Sequence, residues 1–312
     1  MNAQMTASTS TGSLPDLKRL ITQFAASAST EISTHDEGIL SDLAATLPRG
    51  TMVYVAHTPK AQVSDVVRVA AKCVALGLRA SPHIVARRLA NRQILRDALR
   101  QARDGGIEQV LLVAGDLTPP AGEFTSTLEI IDSGAIGAAG IEAIGVAGHP
   151  EGHPVVAQDV LWSALARKQA FADRGPTRVH IVTQFGFNPE AVAKWDAELT
   201  NRGIRLPVHV GMAGPTPLPK LIKFAVQCGI GASFGSLMKN MSALGGLTGF
   251  AGTPEQMLTG LVRARAALES THIVQPHLYA FGGVMATARW LRAVIDGRFE
   301  LDADGTKFAV EA

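Results

Sequence analysis

"LANRQILRDALRQARDGGIEQVLLVAG", residues Leu89 to Gly115, contains one complete repeat of the architecture. Its first part sets leucines and alanines at helical spacing and closes on Gly105-Gly106, the residue type expected just past a helix C-terminus. Its last part, "QVLLVAG" at 109–115, is an apolar, β-branched run of strand length. The alternation repeats along the chain. Further strands are expected at 28–33 ("ASTEIS"), 51–57 ("TMVYVAH"), 79–85 ("RASPHIV") and 142–148 ("EAIGVAG"). The last three fall at 178–185 ("RVHIVTQF"), 207–211 ("PVHVG") and 272–281 ("HIVQPHLYAF"). Helical spacing fills the gaps, as in "SDVVRVAAKCVALG" and "PEAVAKWDAELTNRG".

Strand alternating with helix implies parallel pairing through right-handed crossovers. Eight such units in 312 residues fit a single-domain (β/α)8 TIM barrel better than an open, doubly wound sheet. No G-x-G-x-x-G opens the first helix, which speaks against a dinucleotide-type Rossmann unit. The expected organisation is a flexible lead-in with a first helix (1–24), the barrel (25–296) and a tail (297–312). "RFELDADGTKFAV" in that tail reads either as a hairpin turning at Asp304-Gly305 or as an ordered tail against the barrel's base. The stretch 231–270 departs from the rhythm. It reads as an extra helix, a glycine-rich loop and the returning helix, capped at Thr253.

Composition narrows the function. With 46% hydrophobic and 18% charged residues, the chain can bury a large core. A formal net charge of +2 with scattered Lys and Arg lacks the clustered basic face of a nucleic-acid binder. The start, "MNAQMTASTSTGSLP", has no apolar signal core, and "SGAIGAAGIEAIGVAG" is broken by Glu142 and glycines. A soluble, cytoplasmic protein with no membrane span is therefore expected. The two cysteines, Cys73 and Cys228, form no C-x-x-C pair and read as buried free thiols.

A barrel of this kind builds its site at the C-terminal ends of its strands. Glu31 is placed at the end of the first strand, His57 of the second, His83 of the third and Asp116 of the fourth. His149 and His153 follow the fifth in "VAGHPEGHP", Gln184 ends the sixth, and His277 with Tyr279 lies on the eighth. Taken singly, each has a plain structural reading: a packed histidine, or an Asx turn at Asp116. Glu31 is the exception, because an acid among small residues on a central strand is costly unless it is used. The adjacent cations Arg167 and Lys168, taken by themselves, read as a solvated helix face. No metal site is expected. There is no H-E-x-x-H, and the prolines of "HPEGHP" prevent the helix that would align His149 with His153.

Several of these segments together resemble the methylenetetrahydrofolate reductase family. "VAGDLTPP" is similar to the segment after that family's fourth strand, "GVAGHPEGHP" to its fifth-strand loop, and "VTQFGFNPEAVAKW" to its sixth strand and following helix. "LPVHVGMAGPTPLPKLIKFA" is similar to strand and helix seven, and "SPHI" to strand three. The matches run in order from about Glu31 to Tyr279.

The resemblance implies a barrel that uses FAD and NADH or NADPH to reduce 5,10-methylenetetrahydrofolate to 5-methyltetrahydrofolate. The same residues would serve either direction in one-carbon metabolism. By resemblance Glu31 is the acid that protonates the folate, and Asp116 tunes flavin and folate. Gln184, Phe224, His277 and Lys220 meet the substrate. His57, His83, Gly115, His149, His153, Arg167 and Lys168 lie near the flavin or its phosphates. Hydride chemistry of this kind asks the protein for positioning and protons, not a nucleophile.

The chain also departs from the family pattern. Ala114 stands in place of an arginine, His149 in place of a tyrosine and Ala56 in place of a threonine. "STEIS" replaces an aromatic-rich first strand, and "YAFGG" lacks an arginine near Gly283. These changes predict weak FAD binding. The alternatives are a flavin-independent reductase with direct hydride transfer, and a folate- or flavin-binding barrel without turnover. Barrels of this class also commonly form homo-oligomers.

Overall fold

In the quoted stretch, Asn91 caps the helix Arg92–Asp104 by accepting a hydrogen bond from the Ile94 N–H at 2.9 Å. The helix buries Leu95, Ala98, Leu99 and Ala102 against the strands. Gly106, at φ +74°, turns the chain into the next strand. The computed structural model, which describes residues 13–227, 254–268 and 270–310, repeats this unit around a closed ring.

The strands are β1 (Ser29–Ser33), β2 (Met52–Ala56), β3 (Arg79–Val85), β4 (Gln109–Val113), β5 (Ala143–Gly148), β6 (Arg178–Thr183), β7 (Val208–Ala213) and β8 (Ile273–Tyr279). They pair in parallel in chain order, and β8 closes on β1 with Ser29 opposite His277. All eight expected strands are present, with ends shifted by a residue or two. Among the described residues, no helix is long and apolar enough to cross a membrane.

The main core lies between the strands and the surrounding helices. Outward-facing strand residues such as Val53, Val55, Ile144, Val146 and Ile181 are buried there with the inner helix faces. The barrel interior is a separate and more polar space, in which Met52, Tyr54, Leu111 and Val182 supply the apolar part. Two glycines make room inside it. A Cβ on Gly145 would stand 2.9 Å from His180 Nε2, and one on Gly211 would stand 2.7 Å from the Tyr279 ring.

The tail resolves as a hairpin, β9 (Phe299–Leu301) antiparallel to β10 (Phe308–Val310), that also packs on the barrel. Phe308 stacks on Trp290 of the last helix, and the Arg263 guanidinium donates to Asp304 O at the turn. The returning helix runs Glu255–Ala267 and begins at Pro254 without a side-chain cap. The expected cap at Thr253, the extra helix and Cys228 lie outside the described residues. Cys73 is a buried free thiol, and burial pushes it up to about 12.

Candidate active site

The polar residues of the barrel fall into three tiers instead of one ring at the strand ends. Glu31, His83 and His277 lie inside their strands, below the lip, which corrects the placement of Glu31 and His83 at strand termini. The reason is geometric: inward positions recur every second residue, so Ser29, Glu31 and Ser33 all face inward. Glu31 Oε2 lies 3.4 Å from His83 Nε2 and 4.0 Å from His277 Nε2. Burial raises the Glu31 carboxyl to about 8 and lowers His83 and His277 to about 3. At neutral pH the tier is a protonated acid facing two neutral imidazoles.

Hydrogen bonds below orient the ring of His277. Ser29 Oγ accepts from the Gln275 amide N at 3.2 Å and pairs with His277 Nδ1 at 2.8 Å. His277 Nε2 is thereby turned to face Glu31. That nitrogen and His83 Nε2 are buried without a hydrogen-bond partner among the described residues.

Beneath them, Tyr54 OH contacts His180 Nε2 at 2.9 Å and His209 Nδ1 at 3.4 Å, and accepts from the Gln109 amide at 3.0 Å. The His180 and His209 rings stack with centroids 4.2 Å apart. Sequence reasoning missed Ser29, Tyr54, Gln109, His180, His209 and Gln275. Their signal was polar side chains at inward positions of apolar strands, as in "VHIV" and "VHVG".

The upper tier is at the lip. His57 follows β2, and its Nε2–H donates to Ala61 O at 3.0 Å. Its Nδ1 is left buried with no partner among the described residues, and burial keeps the ring neutral. Gly115 follows β4 at φ +86°, where a Cβ would stand 2.4 Å from Val85, so only glycine fits. Asp116 comes next, with a side chain 83% exposed that receives a hydrogen bond from Arg88 at 3.2 Å. Gln184 follows β6 and donates to Gly152 O of the β5 loop at 3.2 Å. Asp116 and Gln184 thus share the mouth with Glu31 without bonding to it.

On the β5 loop, His149 and His153 meet edge to face at 5.1 Å. Burial, with smaller effects from His153 and Lys168, takes His149 down to about 4. The neighbouring cations of the helix Gln158–Arg174 part company. Arg167 is exposed and pairs with Asp132 at 2.7 Å, whereas Lys168 is buried and brought down to about 8 by desolvation. No hydrogen-bond or ion-pair partner holds Lys168 among the described residues. Across the mouth, Phe224 stacks on Phe281 at 4.4 Å beside Phe185 and Tyr279. Lys220 is exposed on the same helix, Leu218–Gln227.

A closed parallel barrel with a buried acid at the floor of its mouth defines a TIM-barrel protein with a site equipped for proton transfer. The pattern of the methylenetetrahydrofolate reductase family matches residues 43–235, more than half of the chain, and the chain belongs to that family. Its activity is accordingly of the methylenetetrahydrofolate reductase type, an oxidoreductase with a folate substrate. Two solved structures also align with it. One is a provisionally assigned phosphonomutase from Burkholderia cenocepacia J2315, with 11% identity over 91% of this chain and 100% of that chain, at a TM-score of 0.49. The other is a provisionally assigned lyase/mutase from the same organism, with 14% identity over 89% of this chain and 90% of that chain, at a TM-score of 0.47.

Proposed function

We propose that this protein reduces 5,10-methylenetetrahydrofolate to 5-methyltetrahydrofolate, with NADH or NADPH as electron source and FAD as carrier. The observation that carries the reading is the place of Glu31: an acid low in the mouth between His83 and His277, open enough to meet a ligand over the strand ends and pushed up to about 8 by burial. Its proton goes to the folate as the methylene bridge opens to the iminium. The carboxylate left behind faces His277 Nε2, whose ring the Ser29–Gln275 pair orients.

Asp116 places a negative charge beside the reacting ligands, and Gln184 offers its amide to the pterin. Phe224 supplies a flat apolar face, and Lys220 a cation near the substrate. Bound FAD would take a hydride from the nicotinamide and deliver it to the folate. The residues present suit such a group. The Lys168 ammonium fits a phosphate, Gly115 permits close approach to backbone, and burial favours the neutral form of His57, His83, His149 and His153.

One observation favours a second reading, direct hydride transfer from nicotinamide to folate. Arg167 is engaged by Asp132 and position 114 is alanine, so among the matched phosphate-side cations Lys168 alone is uncommitted. Titration with FAD separates the two. Saturating FAD should shift its visible bands and raise the melting temperature, since a ligand bound only to the folded state adds RT ln(1 + [L]/Kd) to stability. If FAD produces neither change while NADH still supports 5-methyltetrahydrofolate formation, the flavin-free reaction is correct. Absence of turnover under both conditions removes the reductase reading itself.

A further inference from the structure

Arg88 was not among the residues expected at the site, yet its side chain bridges the lips of β2 and β4. Nη1 donates to His57 O at 2.7 Å and Nη2 to Asp116 Oδ1 at 3.2 Å. The two partners differ in exposure: the Arg88 side chain is 16% exposed and that of Asp116 is 83%. The covered cation is therefore the fixed member and the open carboxylate the member it holds.

Its neighbour Arg87 fastens the rest of the β4 loop. The Arg87 guanidinium donates to Leu117 O at 2.8 Å, its N–H to Ala114 O, and its own carbonyl accepts from the Ala121 N–H. After burial, the Arg88 charge is a further influence that keeps His57 unprotonated.

We propose that Arg88 is a positioning residue for the reaction: it ties the β2 and β4 lips together and holds Asp116 ready for the ligand above the strand ends. The proposal rests on the reductase reading for the identity of that ligand. An exposed ion pair contributes little to the stability of the free protein. Its effect grows when a bound ligand excludes water, because the same charges then interact in a medium of lower dielectric. At the lip, Arg88 also places a cation beside the glycine-aspartate segment in which position 114 carries none. A lysine cannot reproduce the fork, because one ammonium does not match two acceptors in fixed directions.

The test is a double-mutant cycle of Arg88→Ala and Asp116→Ala with Arg88→Lys alongside, read on kcat/KM for methylenetetrahydrofolate. Arg88→Ala should cost about 10- to 100-fold, the range for losing a hydrogen bond to a charged group. In the Asp116→Ala background the same change should cost only about two- to tenfold, because the carboxylate is gone and the bond to His57 O alone is left to lose. Arg88→Lys should fall between wild type and Arg88→Ala. Equal losses in both backgrounds overturn the proposal and leave Arg88 a general support of the lip.

A crystal structure of Arg88→Ala is independent of turnover. It should show Asp116 moved from its place, and an unmoved Asp116 refutes the positioning role even if the protein proves to be the reductase. Absence of folate turnover in the wild type would remove the reductase reading, while the same crystal structure would still decide whether Arg88 holds Asp116.

Discussion

Glu31→Gln should leave reduction of the flavin by the nicotinamide almost unchanged and slow reduction of the folate by about 10²- to 10⁴-fold. Glutamine keeps the shape of the side chain and removes its proton. Only the folate half of the cycle consumes that proton, so only that half should respond. The wild-type rate of folate reduction should be level through neutrality and decline as pH rises through about 8, where the buried carboxyl loses its proton. The residual rate of the glutamine variant should lack this decline. Asp116→Asn should alter both halves, because its charge acts on both bound partners. Rapid mixing of enzyme with each substrate in turn reads the halves separately. Equal slowing of both by Glu31→Gln would show that Glu31 is positional and not the acid.

Acid should unfold this barrel well above the usual carboxylate range. Burial takes His83 and His277 to about 3, His180 to about 4 and His209 to about 2, with neighbouring positive charges on other imidazoles or arginines adding to the effect. In the unfolded chain each imidazole titrates near its ordinary value of about 6.5. Above that pH both states are neutral at these residues, and their contribution is fully present. As pH falls below it the unfolded chain binds protons that the folded one refuses, so stability is lost down to the folded values. The loss is about 1.4 kcal/mol per pH unit for each imidazole that stays neutral.

Glu31 acts in the opposite sense. Its raised value means that the folded state holds a proton the unfolded state has released, so its contribution grows as pH falls from about 8 towards the ordinary carboxylate value. One carboxyl offsets about one of the four imidazoles. Urea denaturation at pH 7.0 and 5.0 should therefore give a stability several kcal/mol lower at the acid pH, on the order of half of a typical domain's total. His209→Asn should lessen the pH dependence by about one proton. Equal stability at the two pH values would mean that the imidazole tiers are open to water and titrate normally.

Legibility of the structure followed the range of the interactions. The strand–helix repeat is local: Asn91, the leucines of 95 and 99 and Gly105-Gly106 each act on neighbours within a few residues, and so the eight-stranded barrel could be read from the chain. Asp116, Gln184 and the β5 histidines were legible for the same reason, since each follows directly on a strand whose C-terminal end faces the mouth. The lowest tier, and the contacts within both inner tiers, were not. Glu31 meets His277, and Tyr54 meets His180 and His209, only after the ring has closed, across separations of more than one hundred residues. Which of several inward polar side chains touch then depends on strand stagger.

Arg167 and Lys168 show the same division at closer range. Adjacent on a helix, they differ by about 100° in direction, so packing sends one to Asp132 and buries the other. Arg88 was not singled out in the sequence. Only the meeting of the second, third and fourth strands gives it His57 O and Asp116 to hold. Sequence alone therefore determined the barrel and the residues at its strand ends, because local periodicity and turn chemistry suffice for both. The protonation of Glu31, the orientation of His277 and the partner of Asp116 were decided by the tertiary structure, because burial and long-range pairing exist only in the folded chain.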